Sequence, residues 1–148
     1  MIRCRTADPV PDAVAPVPRL TGRCLCGQVG YEVADAFRYA MYCHCSLCRR
    51  RTGSAFKALA GIEAEKLALR AEAADVATFA GRGWHDVSCR ACGSLLYAVV
   101  RDGTFVHVAM GTLGGAPSIR PSMHVFVGSK APWYEIADDL PRFDGAPP

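Results

Sequence analysis

Long apolar runs are missing from this 148-residue chain, and no stretch approaches the roughly 20 residues that a bilayer-crossing helix needs. A membrane span is therefore excluded from the expectation. The first twenty residues also lack a signal-peptide core, being broken by Asp8, Pro9, Pro11, Asp12, Pro16 and Pro18, which argues against an oxidising compartment. A soluble, cytoplasmic protein is expected. Charge is modest, at a formal +3, and the leader has only Arg3, Arg5 and Arg19, partly balanced by Asp8 and Asp12. Without a basic extension, nucleic acid is the weaker class of partner. No repeat of solenoid length occurs, and helical composition is confined to 63–69 and 135–140.

What the chain has is cysteine. Seven of its eight cysteines fall in three clusters: Cys24-Leu25-Cys26, Cys43-His44-Cys45-Ser46-Leu47-Cys48 and Cys89-Arg90-Ala91-Cys92. Thiolates one to three residues apart converge on one thiophilic ion through a tight backbone turn. A closed tetrahedral site takes four ligands, which the two paired clusters supply together. Cys43, Cys45 and Cys48 remain as a set of three with one position open. The expectation is two zinc ions per chain, one structural and one whose fourth position accepts water, a thiol or a further side chain. Metallation of seven thiols would bring the formal charge close to zero. Cys4 stands apart, as a free thiol on a flexible Pro/Ala-rich leader spanning 1–19, ahead of one zinc-binding domain at 20–148.

Between the clusters the pattern is that of short strands. Val29, Tyr31 and Val33 alternate with polar or small residues, as do Phe37, Tyr39 and Met41. Further strands are expected at 54–62, 67–72, 76–80, 84–88 and 123–127. The clearest hairpin joins 95–100 to 105–110, with Asp102-Gly103 supplying the positive φ angles of a tight turn. A mainly β, predominantly antiparallel fold follows, its strand ends pinned by the cysteine turns.

The ordered motifs are similar to those of a known family. Gly22-Arg23-Cys24-Leu25-Cys26-Gly27-Gln28-Val29-Gly30-Tyr31, the Cys43 to Cys48 cluster with Arg49 and Arg50, Gly53-Ser54-Ala55-Phe56, Cys89-Arg90-Ala91-Cys92-Gly93, and His124-Val125-Phe126 with Lys130-Ala131-Pro132-Trp133 resemble the glutathione-dependent formaldehyde-activating family, which includes centromere protein V. The resemblance implies a β-tent fold with a structural zinc on Cys24, Cys26, Cys89 and Cys92 and a functional zinc on Cys43, Cys45 and Cys48. It also implies a carbon–sulfur lyase acting on a thiol–aldehyde adduct such as S-(hydroxymethyl)glutathione, with glutathione and a small aldehyde as partners. The segment Gly111-Thr112-Leu113-Gly114-Gly115 departs from relatives, which often carry an acidic residue after the leucine.

The chemistry of an open three-thiolate site fits that activity. Metal charge stabilises an entering thiol as its thiolate beside an aldehyde, and a developing alkoxide then needs a donor. His44, Arg49 and the backbone N–H groups around Gly53 and Ser54 are candidates. Arg49 is favoured by the resemblance. Phe56 is a candidate wall of the thiol pocket, and Lys130 with Pro132 and Trp133 a candidate clamp. Against these stand plainer roles: a solvent-facing or structural His44, a solvated Arg49-Arg50-Arg51 run, Phe56 and Trp133 as packing residues, an exposed Lys130, and His124 as a core histidine, a hydrogen-bond donor behind the metal ligands or a fourth ligand. His85 and His107 show no partner in sequence. The alternative to an enzyme is a non-catalytic zinc protein that carries such a thiol or serves as an interaction module.

Overall fold

The computed structural model describes residues 16–148. Cys4 and most of the expected leader lie outside them. The described chain is mainly β, with strands β1 (Arg19–Arg23), β2 (Gly30–Ala34), β3 (Tyr39–Cys43), β4 (Lys57–Glu63), β5 (Leu67–Arg70), β6 (Val76–Gly81), β7 (Trp84–Cys89), β8 (Leu95–Val100), β9 (Phe105–Ala109) and β10 (His124–Val125), and one helix, α1 (Ser46–Thr52). No helix among these residues is long and apolar enough to cross a membrane.

Two sheets form. The smaller has the order β1-β2-β5; the larger runs β10-β3-β4-β9-β8-β7-β6, antiparallel except for its first pair. Tyr31 and Val33 of the small sheet pack with Ile62, Val87, Tyr97, Val106 and Val108 of the large one, and this apolar layer is the main core. Alternation along each strand then sends the other set of side chains to the opposite face. There Cys43 is in register with Lys57, Gly61 with His107, and Ala98 with both His107 and Asp86. This second face carries the candidate site. Gly61 is required on it, because a Cβ there would stand 2.2 Å from the Tyr39 ring.

Several local expectations change. Segment 63–69 is not helical: Ala64–Lys66 makes one 3-10 turn and the rest enters β5, where Leu67 and Leu69 pair with Val33 and Tyr31. Alternating leucines finding a sheet edge outweigh helix-favouring composition. Segment 135–140 is irregular, with Asp138 accepting from the Leu140 N–H at 3.0 Å. The strand expected at 123–127 shortens to two residues, because Phe126 takes a left-handed conformation (φ 56°) that ends it, and it runs parallel to β3. The β8–β9 loop also differs. Arg101, Asp102 and Gly103 all have positive φ, giving a four-residue connection wider than an Asp-Gly turn.

Helix α1 and strand β1 were not foreseen. Cys45 is extended at the N-cap and its sulfur accepts from the Cys48 N–H at 3.3 Å. Arg49, Arg50 and Arg51 occupy the last turn, where cations complement the helix carbonyls. Gly53 stops the helix in the left-handed conformation, donating its N–H to the Arg49 carbonyl.

Candidate metal and catalytic site

Each paired cysteine cluster sits in a turn at the end of a strand. The turn after β1 is closed by Gly27 N–H to Cys24 carbonyl (3.1 Å), and the turn after β7 by Gly93 N–H to Cys89 carbonyl (2.9 Å). The Leu25 N–H donates to Ser94 Oγ at 3.0 Å and locks one turn on the other. The four sulfurs of Cys24, Cys26, Cys89 and Cys92 lie within 4.8 Å of one another, with Cys24–Cys26 at 3.5 Å and Cys26–Cys89 at 3.7 Å. Four thiolates bonded at about 2.3 Å to one tetrahedral ion would be separated by about 3.8 Å, so this donor set fits a metal closely. The Cys92 thiol is held down at about 5, first by the Ser94 hydroxyl and then by the Ser94 and Cys26 N–H groups. A thiolate is therefore ready for an ion.

Cys43, at the end of β3, meets Cys45 and Cys48 across the start of α1, and their sulfurs also lie within 4.8 Å of one another. Hydrogen bonds from the Cys43 and Cys48 thiols pull the Cys45 pKa far down, aided by the Cys48 and Leu47 N–H groups. Both clusters could hold a metal ion. They differ in ligand number and in surroundings, because among the described residues no fourth His, Cys, Asp or Glu joins the three.

Beside the three sulfurs is a cavity of about 270 Å³. Cys45, Leu47, Cys48 and Arg51 of the helical segment form one side; Lys57, Trp84, Asp86, Ala98, Val100 and His107 of the large sheet form the other, with Phe126 beside them. Ala98 is small enough to leave the space open. Leu47 is 57% exposed and Phe126 37%, so apolar side chains meet solvent around the cavity.

Its polar groups are few and mostly fixed. Arg51 Nε donates to Asp86 Oδ2 at 2.8 Å and its Nη2 donates to Ser88 Oγ, tying α1 to β7. Asp86 is only 2% exposed. Arg51→Ala would strand that carboxylate and should lower unfolding free energy by about 3 kcal/mol, the lower end for breaking one side of a buried pair because the Arg51 side chain keeps some exposure. Urea denaturation would measure it, and an unchanged midpoint would refute the role given to this pair. His107 shares a 2.8 Å hydrogen bond with the Tyr39 hydroxyl. Burial, then the Lys57 and Arg101 charges, push its pKa down to about 4, so its ring is neutral at pH 7.

The residues expected from sequence around a thiol ligand do not gather at this cavity. Arg49 Nε donates to the His44 carbonyl at 3.3 Å, bracing the cysteine segment. Ser54 bonds to the Phe56 carbonyl and to Thr52 Oγ1 outside the cavity. Phe56 packs on Tyr42, His44 and Tyr134, with ring centroids 4.8 to 5.5 Å apart. Lys130 donates to the Ala131 and Tyr134 carbonyls, while Trp133, expected as a packing anchor, is 71% exposed.

His44 is not solvent-facing. It is fully buried, and its Nε2 meets His124 Nδ1 at 2.8 Å, while His124 Nε2 lies 3.1 Å from both Asp138 oxygens. His44 Nδ1 is buried with no hydrogen-bond partner among the described residues. Burial, then the neighbouring His124 and Lys130, lowers the His44 pKa. His124 joins neither sulfur cluster, so it is a hydrogen-bonded core histidine behind the metal segment. Lys57, Asp86 and His107 were not recognised as site residues, although a lysine in phase with Leu59 on an apolar strand is a usable signal.

A family model described as "Glutathione-dependent formaldehyde-activating enzyme" matches residues 19–129. No curated protein matches the chain. Among solved structures, a crystal structure of a Rhodobacter sphaeroides protein is similar, with 28% identity and a TM-score of 0.55, covering 66% of this chain and 91% of that one.

Proposed function

The chain belongs to the glutathione-dependent formaldehyde-activating enzyme family, and from that premise we propose that it is a zinc-dependent carbon–sulfur lyase acting on a thiol–aldehyde adduct such as S-(hydroxymethyl)glutathione. One observation carries this reading: one sulfur set has four members, whereas the other has three, two of which line a cavity. In this reading Cys24, Cys26, Cys89 and Cys92 hold a structural zinc. Cys43, Cys45 and Cys48 hold the working one. Zinc there would supply a Lewis-acid position that keeps an entering thiol deprotonated at neutral pH.

The protein's own residues provide the surroundings. Leu47, Trp84, Ala98, Val100 and Phe126 give the cavity a largely apolar lining, which strengthens charge interactions inside it. Arg51 and Asp86 fix the helical segment against β7, and Arg49 steadies the backbone between Cys43 and Cys45 through the His44 carbonyl. The cavity lies near the lower end of ordinary ligand pockets, which begin at about 300 Å³. It suits the reacting end of a thiol adduct better than a complete tripeptide. Ser54, Phe56 and Lys130 are therefore assigned to support around the site.

Calorimetry with glutathione and S-methylglutathione tests the reading. The thioether cannot ionise at sulfur, so it should bind at least about tenfold more weakly, a difference of about 1.4 kcal/mol. Equal affinities would place the ligand away from the three cysteines and favour a carrier or interaction module.

A further inference from the structure

We propose that Lys57 is the oxygen-binding cation of the cavity, receiving the substrate oxygen beside the cysteine sulfurs. The inference takes its ligand class from the lyase reading above, but its physical basis is separate. Lys57 is the first residue of β4 and is only 7% exposed. Its backbone is in register with Cys43, and it lines the same cavity as Cys45 and Cys48.

Among the described residues its ammonium has no hydrogen-bond or ion-pair partner. The other engaged cations show the contrast. Arg51 is committed to Asp86 and Ser88, Arg38 and Lys66 to Glu63, Arg70 to Glu32, and Lys130 to two carbonyls. Asp86, the one carboxylate on the cavity wall, is already occupied by Arg51. Its side chain is largely buried and lines the cavity, and an ammonium so poorly solvated is costly unless something pairs with it. Retaining one in an apolar cavity makes sense if its partner arrives with the ligand. The neighbouring His107 suits that role, because its pKa is pushed down and its ring is neutral beside the Lys57 charge.

The step balances without another reagent. On entry the thiol sheds its proton to solvent; the sulfur lone pair then forms the C–S bond while the carbonyl π pair moves onto oxygen. Lys57 N–H holds the alkoxide, which takes one proton back from solvent, and Lys57 keeps its charge throughout. In the cleavage direction the C–S bond breaks and the same contacts serve in reverse. Donors aimed at oxygen where charge develops are among the strongest catalytic devices.

The alternative is that Lys57 merely offsets negative charge on the cysteine cluster, and the test separates the two. S-(carboxymethyl)glutathione and its carbamoylmethyl analogue have nearly the same shape, but only the first places an anion beyond the sulfur. Wild-type protein should prefer the carboxylate by about tenfold in calorimetry. Lys57→Met, of similar length, should lose this preference while keeping both metal equivalents and an equal or higher melting temperature, since an unpaired buried charge has been removed. In the same variant kcat for adduct exchange should fall while glutathione affinity stays unchanged. No preference in the wild type, a preference surviving in Lys57→Met, or loss of one metal equivalent in that variant would each overturn the proposal. Failure of the lyase reading looks different: a Lys57-dependent preference for the anion with no rate above background retires the lyase and leaves the anion seat standing.

Discussion

The Cys89→Ser protein should fail to accumulate in soluble, folded form. Cys89 is buried in the main core, and its sulfur belongs to a set joining the turn after β1 to the turn after β7, 63 residues apart at Cys26 and Cys89. Closing so distant a connection is entropically expensive without the metal. Structural zinc contributes about 10–16 kcal/mol to small zinc-binding units at neutral pH, as large as the entire net stability of a typical domain, roughly 5–15 kcal/mol. Losing one ligand therefore threatens the fold itself. Circular dichroism and metal analysis of whatever can be recovered would decide, and a stable Cys89→Ser protein retaining its sheet would remove the structural assignment.

Cys45→Ser should behave in the opposite way. Its ligand set closes only the short segment from Cys43 to Cys48, so losing the metal there opens no long loop. Serine also preserves the local geometry. The Cys45 sulfur caps α1 by accepting from the Cys48 N–H, and serine is among the preferred N-cap residues. The variant should therefore remain folded and bind one metal equivalent where the wild type binds two. Native mass spectrometry with a thermal melt would measure both. Unfolding on the scale of Cys89→Ser, or retention of two equivalents, would contradict the division into structural and working sites.

The grouping of the cysteines into a set of four and a set of three was legible in the sequence, because cysteine spacing is a local signal. Strands β2 and β6 to β9 were legible for a similar reason, since alternation at Val29, Tyr31 and Val33 or across 95–110 marks a face directly. Helix α1 was not. Seven residues are too few for helical periodicity, and its start depends on a cysteine sulfur acting as the cap. Leu67 and Leu69 lie in the strand expected at 67–72, and only the helical reading of 63–69 failed, because the partners that decide for a strand, Val33 and Tyr31, are more than thirty residues away. The cavity was the hardest feature to foresee. It is assembled from α1, β4, β7, β8, β9 and Phe126, and Arg51, Asp86 and Lys57 acquire their meaning only when that face of the sheet is formed. The motif-based choices of Ser54, Phe56 and Lys130 followed neighbourhood in sequence, whereas the cavity follows sheet register.

The central claim is that the three-cysteine site accelerates making and breaking of a carbon–sulfur bond. Thiols add to formaldehyde unaided, so binding alone can imitate catalysis in a crude assay. The most direct measurement is exchange NMR of glutathione and formaldehyde with their adduct at equilibrium, run without protein, with wild type and with folded Cys45→Ser. The account predicts exchange well above background in the wild type and a return to background in Cys45→Ser. Wild-type exchange no faster than the protein-free solution, or equal acceleration by Cys45→Ser, would contradict it.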